Sequence, residues 1–393
     1  MIRGGPRRAN PGVPMPDNAD AVQHALRLTD RWVQEAAVRG VSTAVWHRGA
    51  IVASHQAGEA APGAPVRAET LFALASVSKP FTAAAVMRLV ERGDLHLDLP
   101  VALQLPEFGE ADDPFADDVI PQLEALRDRI TLRQLLSHTA GLPENAGVKR
   151  LRMSDQPTLE RMLDIMCGVP LQDAPGEVLR YSNVGPAVAA RMAERAAGVP
   201  FHTILRNEVL VPWNLTALHP TIDAALSDRV AIVQDPSAEG TPTEGYNSPW
   251  WRSLGIPWGG YYGTAADVVR FAASFLPGAD IPLDRELAAE MVTDQAHGVA
   301  GGVFSAGIRW ETAFWGLGWE VKGTKPRHWT GTLTSPDTFC HWGQSGTLMW
   351  ADPTRDLAVA IFGNRTVLKK AWPLNPPRWA DLSDAIVTAT DAG

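Results

Sequence analysis

The sequence predicts an α/β protein whose sheet-bearing part is split along the chain and carries a mostly helical insertion. Three patterns predict it: a helix and two short strands near the start, a run of helices and long loops from about residue 96 to 255, and apolar or alternating stretches after about 300 that close on a helix. The expected divisions are a loose arm over 1–16, a sheet domain built from 17–95 and 256–393, and a helical domain over 96–255, with the cleft between the two domains.

Taken in order, the arm is rich in Gly, Pro and Arg, and AVQHALRLTDRWVQEAAVRG then carries a helical pattern to Gly40. TAVWHRGAIVASHQAG alternates as two strands joined near Arg48-Gly49, a β-hairpin. In LFALASVSKPFTAAAVMRLVERG an apolar segment turns into a helix with Phe81, Ala85 and Leu89 on one face, Val86 and Val90 beside it, and Gly93 as its stop. Pro80 lacks a backbone donor and fits only near a first turn, so the helix starts at about Ser76 to Ser78. TLRQLLSHTAG, TLERMLDIMCG, VGPAVAARMAERAAG and HTILRNEVLVPW supply the helical layer. GGYYGTAADVVRFAASFL is a loop leading into a helix, with Thr264 as cap and Asp267 completing a weak form of capping box. VFSAGIRW, LGWEVK, TLMWAD and LAVAIFGN are expected as strands, and the last 15 residues as the closing helix.

The 393 residues, 45% hydrophobic and 20% charged, suit a globular protein with a core large enough to carry a cleft. A net charge of -9 and the lack of a basic stripe interleaved with aromatics exclude a general nucleic-acid binder. The cysteines, Cys167 and Cys340, are too few for a disulfide framework and are expected as buried thiols. The first 20 residues have positive charge but no apolar run behind it, and nothing later resembles a membrane span, so the expected compartment is the cytoplasm. No metal or cofactor is expected: His47, His55, His96, His138 and His297 do not cluster, and the glycines form no dinucleotide loop. Ser345, in Trp-Gly-Gln-Ser-Gly-Thr, lacks the glycine spacing of Gly-x-Ser-x-Gly, and His138 is expected to be structural, bonding backbone near a helix end.

Ser76 and Lys79 are three apart, side by side on a first helical turn near unpaired backbone donors. Alone, this also describes a serine capping a helix. A neutral Lys79 can take the hydroxyl proton, and that requires burial or nearby charge to lower a pKa ordinarily near about 10.4. Tyr181-Ser182-Asn183 immediately precedes a helix, where Tyr181 can relay a proton to a leaving group or activate water, and Asn183 can orient Lys79 and meet a substrate carbonyl. In FCHWGQSGTLMWADP, a strand bearing His341 and Gly343 can line a cleft. There Gly343 would let substrate approach the backbone, and Gln344 N–H would join Ser76 N–H as oxyanion donors. His341 can bond Tyr181 or a substrate carboxylate. Fourteen tryptophans are unevenly placed; Trp342 flanks the proposed pocket, and the 246–262 loop with Tyr246, Tyr261 and Tyr262 is expected to roof it, favouring an apolar or aromatic acyl group.

Ser76-Val77-Ser78-Lys79, Tyr181-Ser182-Asn183 and His341-Trp342-Gly343, in this order, resemble the motifs of the serine β-lactamase and penicillin-binding superfamily, and within it the class C β-lactamases and related esterases and D-aminopeptidases. The resemblance runs over roughly residues 20 to 390. It implies a β-lactamase-like fold, an antiparallel sheet flanked by helices. It also implies acylation of Ser76, proton exchange by Lys79 and Tyr181, an oxyanion hole from the Ser76 and Gln344 N–H groups, and support from Asn183. In the class C β-lactamases the His341 position is lysine, which helps receive a substrate carboxylate; histidine there looks like the esterase and peptidase branches. The expected function is a carboxylesterase acting on a small-molecule ester through an acyl-enzyme, with amide or D-amino-acid peptide hydrolysis, acyl transfer, β-lactam hydrolysis and catalytically idle binding as alternatives.

Overall fold

The computed structural model describes residues 18–109, 119–236, 245–367, 373–374 and 378–392. The arm expected over 1–16 lies outside them. Seven strands form the main sheet: Gly40–His47 (β1), Ala50–Ala61 (β2), Ala64–Pro65 (β3), Glu320–Val321 (β4), Phe339–Gly343 (β5), Thr347–Asp352 (β6) and Leu357–Gly363 (β7). Their order is β3-β2-β1-β7-β6-β5-β4, and every neighbouring pair is antiparallel. The first and last strands meet at the centre, Val41 opposite Gly363 and His47 opposite Leu357. The β1–β2 turn falls at the expected dipeptide, Arg48 at φ 50° and Gly49 at φ 95°, two positive values as the twist of a two-residue hairpin favours.

Strand alternation divides the apolar residues between two faces. Ala358, Ala360 and Phe362 of β7 join Phe339 and Met349 in a core shared with helices Ser78–Glu91 and Ala265–Ala273. Leu357, Val359 and Ile361 join Cys340 and Trp350 against helices Ala19–Leu26 and Arg378–Asp391. Both faces of β7 are therefore covered, and all seven of its residues are buried. Cys167 and Cys340 are buried free thiols, as expected.

The expected middle helices form. Leu132–Leu136 starts in a complete capping box between Thr131 and Gln134, Leu159–Cys167 starts on Thr158, and Val184–Ala197 stops at Gly198 with φ 68°. Their apolar faces join the inner core of the sheet, where Phe81 and Phe271 stack with centroids 4.0 Å apart. Two expectations change. VFSAGIRW is not a sheet strand: Phe304–Ala306 is a 3-10 turn and Gly307 has φ 71°, leaving a single bridge between Gly301 and Trp310. Thr264 does cap its helix, but the Asp267 carboxylate accepts from Ala217 N–H at 2.7 Å, so the reciprocal half of that capping box is absent.

Candidate active site

Ser76 lies in the 3-10 turn Ala75–Val77, directly before helix Ser78–Glu91. The preceding Ala75 has φ 47°, a left-handed conformation that costs an L-residue with a Cβ about 1–2 kcal/mol. Tertiary hydrogen bonds hold it there: Leu74 N–H donates to Tyr261 O at 2.8 Å, and Thr347 Oγ1 donates to Leu74 O at 2.9 Å. Ser345 Oγ donates to Ala73 O, so this serine braces the turn. Gly343 serves the same contact, because a Cβ there would lie 2.3 Å from Leu74 O and 2.5 Å from Thr347 Oγ1. Its missing side chain makes room for the Ser76 turn.

One turn along, Lys79 is 1% exposed, and its Nζ donates to Ser76 Oγ at 3.2 Å, Asn183 Oδ1 at 2.7 Å and Trp258 O at 2.8 Å. Burial pulls its pKa down to about 7, against the opposing pull of the Glu144 carboxylate. At neutral pH a substantial fraction of this amine is therefore free to accept a proton, the condition that spacing alone left open. Asn183 is oriented from its other end, Nδ2 donating to Asn145 Oδ1 at 2.8 Å.

Tyr181 is buried, with the Lys79 ammonium nitrogen 4.8 Å from its ring centre. Its Oη has no complete hydrogen bond among the described residues. Burial pushes the phenol pKa up, only partly offset by the adjacent Ser76 hydroxyl. The phenol therefore keeps its proton and is a donor. His138, Trp315 and His341 surround it, with ring centres at 4.7, 5.7 and 6.1 Å. His341 donates Nδ1–H to Trp342 O at 2.9 Å, which leaves Nε2 a bare acceptor without a partner among the described residues. Burial, then the Lys79 charge, pulls the His341 pKa down to about 3, so this wall of the cleft is a neutral acceptor and not a cation.

Gln344 is exposed in the turn after Gly343. A Cβ on Gly343 would lie 3.1 Å from that of Ala75, so this turn borders the Ser76 turn, while the Gln344 side chain is drawn off to Val367 O. Two expected lining residues do not line the site. Trp342 follows His341 on a strand and so points to the other face, where its ring lies 5.7 Å from Trp329 and 6.5 Å from Trp379. Tyr261 is 1% exposed and points into the packing beneath the Ser76 helix, its hydroxyl 2.8 Å from Thr82 Oγ1 and its N–H on Ser78 Oγ at 3.1 Å. The 246–262 loop instead reaches the site through the Trp258 carbonyl.

Sequence reasoning missed Glu144, Asn145 and Trp315. Glu144 and Asn145 follow the LLSHTAGLP stretch directly, the one local signal available for them. Glu144 carries the Asn183 N–H on its backbone oxygen at 2.8 Å, and its carboxylate accepts from Ser305 Oγ at 2.7 Å. Behind Trp315, Glu320, His328 and Cys340 place potential metal ligands within 4.8 Å of one another, all buried. The same carboxylate already holds the Lys325 ammonium at 2.8 Å and His328 at 3.1 Å, so this is a buried ion pair. A cavity of about 680 Å³ between Phe275, Ile281, Val292 and Phe314 lies apart from Ser76 and contains none of the reacting groups.

An antiparallel sheet flanked by helices, carrying serine, lysine and tyrosine in one constellation, is the arrangement of the β-lactamase and penicillin-binding superfamily. The family model described as Beta-lactamase matches residues 25–383, and the chain belongs to that family. It is 33% identical over 264 residues to Penicillin-binding protein 4 of Amycolatopsis lactamdurans, covering 66% of this chain and 64% of that protein. It is 38% identical over 197 residues to Esterase EstB of Burkholderia gladioli, covering 46% and 47%. The match thus spans less than two thirds of either relative. A solved structure described as EstCE1, a hydrolase with promiscuous acyltransferase activity, superposes with a TM-score of 0.74 at 22% identity, covering 94% of this chain and 99% of that one. Among the described residues no helix is long and apolar enough to cross a membrane.

Proposed function

We propose that the protein is a serine hydrolase that forms an acyl-enzyme at Ser76 and acts on uncharged carboxylic esters with a small, apolar or aromatic acyl group. The observation that carries this reading is the Lys79 amine, 3.2 Å from Ser76 Oγ with its pKa drawn down to about 7. In its free form Lys79 takes the hydroxyl proton as Ser76 Oγ attacks the ester carbonyl, and the Ser76 and Gln344 N–H groups receive the developing oxyanion. As the C–O bond breaks, the Tyr181 phenol gives its proton to the departing alkoxide and regains one from the Lys79 ammonium. Water then attacks the acyl-enzyme and loses a proton back through Tyr181 and Lys79, releasing the acid and restoring Ser76.

The uncharged substrate follows from His341. A neutral imidazole offering a lone pair gives a substrate carboxylate nothing to bind, which weighs against β-lactams and other anionic substrates. The apolar acyl preference is supported by the buried Trp315 ring beside Tyr181. The identity with Esterase EstB favours ester over amide among the alternatives.

Intact-mass measurement after treatment with a fluorophosphonate tests the nucleophile. One adduct on the protein and none on Ser76→Ala is the expected result; no adduct with this or any other acylating probe would move the protein to a binding role. Paired p-nitrophenyl esters, one neutral and one ending in a carboxylate, test the substrate class: the neutral ester is preferred, and His341→Lys shifts the ratio toward the anionic one. Adding alcohols or amines and following ester products separates hydrolysis from acyl transfer.

A further inference from the structure

Helix Leu132–Leu136 ends in a Schellman turn, with Ser137 as C-cap and Thr139 N–H reaching back to Gln134 O at 3.0 Å. His138 takes the left-handed position of that turn, at φ 59°, where glycine is the usual occupant because a Cβ is disfavoured. An imidazole stands at a glycine position, and one of its ring nitrogens is in use. Arg180 N–H donates to the His138 carbonyl at 2.9 Å, and Ser182 N–H donates to His138 Nδ1 at 3.1 Å. From the opposite side, Tyr181 N–H donates to Gly302 O at 3.1 Å. Alternate N–H groups of extended chain point to opposite edges, so residues 180 and 182 require two acceptors along one edge. A neighbouring strand would offer two carbonyls. The left-handed turn carries the His138 backbone away after the first, and the imidazole nitrogen stands where the second would be.

We propose that His138 is a positioning residue, its Nδ1 acting as a surrogate strand carbonyl that holds Tyr181 at Ser76 and Asn183 at Lys79. The proposal rests on the serine hydrolase reading above. Because Nδ1 accepts, the proton of the neutral ring is on Nε2, which is buried and has no hydrogen-bond partner among the described residues. That edge of the ring is enclosed by aromatics: the imidazole lies 4.7 Å from Tyr181 and meets Trp315 edge-on at 4.9 Å and 78°. Protonation at Nδ1 would set a donor against the Ser182 N–H; burial, then the Lys79 charge, disfavours it.

Three variants separate this role from ordinary packing. His138→Gly suits the backbone and removes the acceptor, His138→Ala strains the backbone and removes it, and His138→Asn tolerates the left-handed conformation and offers Oδ1 in its place. With a neutral p-nitrophenyl ester, kcat is expected to fall about 10-fold or more in the Gly and Ala variants with KM little changed, as misplaced catalytic groups produce. His138→Asn is expected to recover most of it. A folded His138→Gly with the parent kcat, or His138→Asn no better than His138→Gly, overturns the proposal. Imidazole ¹⁵N shifts of the unmodified protein give a second measurement that no folding defect can spoil: the Nε2–H tautomer is expected across the active pH range, and Nδ1–H or imidazolium would overturn it. Failure of the parent protein to be labelled at Ser76 would instead count against the hydrolase reading, since the tautomer is read without any substrate.

Discussion

At the scale of single residues, the Lys79 amine sets the expected pH behaviour. Below about 7 it carries a proton and cannot take one from Ser76, so kcat/KM for a neutral ester should rise from the acid side with a midpoint about 7 and level off above it. Glu144 is the anion that favours the ammonium form. Glu144→Gln should lower the Lys79 pKa and move that limb to lower pH; a pH–rate profile showing it unmoved or moved upward would contradict this electrostatic account. Lys79→Ala and Tyr181→Phe should each reduce turnover roughly 100-fold or more, the scale of acid–base groups, while circular dichroism reports an intact fold. Ser76 and Lys79 were legible because their relation is local, three positions on one helical turn. Glu144 and Asn145 were not, because they reach Lys79 and Asn183 only after the chain folds back from a separate loop.

At the scale of elements, β5 shows how one strand divides its work. His341 faces Tyr181, while Trp342 packs among Trp329 and Trp379 behind the sheet. Trp342→Ala should therefore cost about 3 kcal/mol of stability, measured by denaturant unfolding, with little change in KM. His341→Ala should do the reverse, altering turnover or KM at small cost in stability. Gly343→Ala should damage both, since its Cβ would collide with the carbonyl that shapes the Ser76 turn. The strand itself was evident in the sequence, and so was its alternation. Which parity faced the cleft was misjudged for Trp342, because an aromatic beside a pocket residue looks like lining until the sheet is seen to be covered on both faces.

At the scale of the molecule, two features hold the site's far wall. The sheet closes β1 against β7, bringing its first and last strands together, and the buried Glu320–Lys325 pair secures the segment that carries Trp315. Lys325 Nζ donates to Glu320 Oε1, Phe314 O and Val321 O, each at 2.8 Å. Lys325→Met should cost about 3–5 kcal/mol by stranding a buried carboxylate, and adding Glu320→Gln should restore part of that loss. Thermal unfolding of the single and double variants checks it; a double variant as unstable as the sum of the singles would show that the two groups do not act as a pair.

The sequence by itself determined what depends on short spacing: the fold class, the hairpin at Arg48-Gly49, the helix opening near Ser76, and Ser76 beside Lys79. Only the tertiary structure decided the chemistry of those groups. Lys79 is drawn toward neutrality because residues 183 and 258 close over it, and His341 is neutral because it is shut in beside that amine. Desolvation is the sum of everything packed around a group. Those neighbours lie a hundred or more positions away in the chain, so their effect exists only once the sheet and helices bring them together.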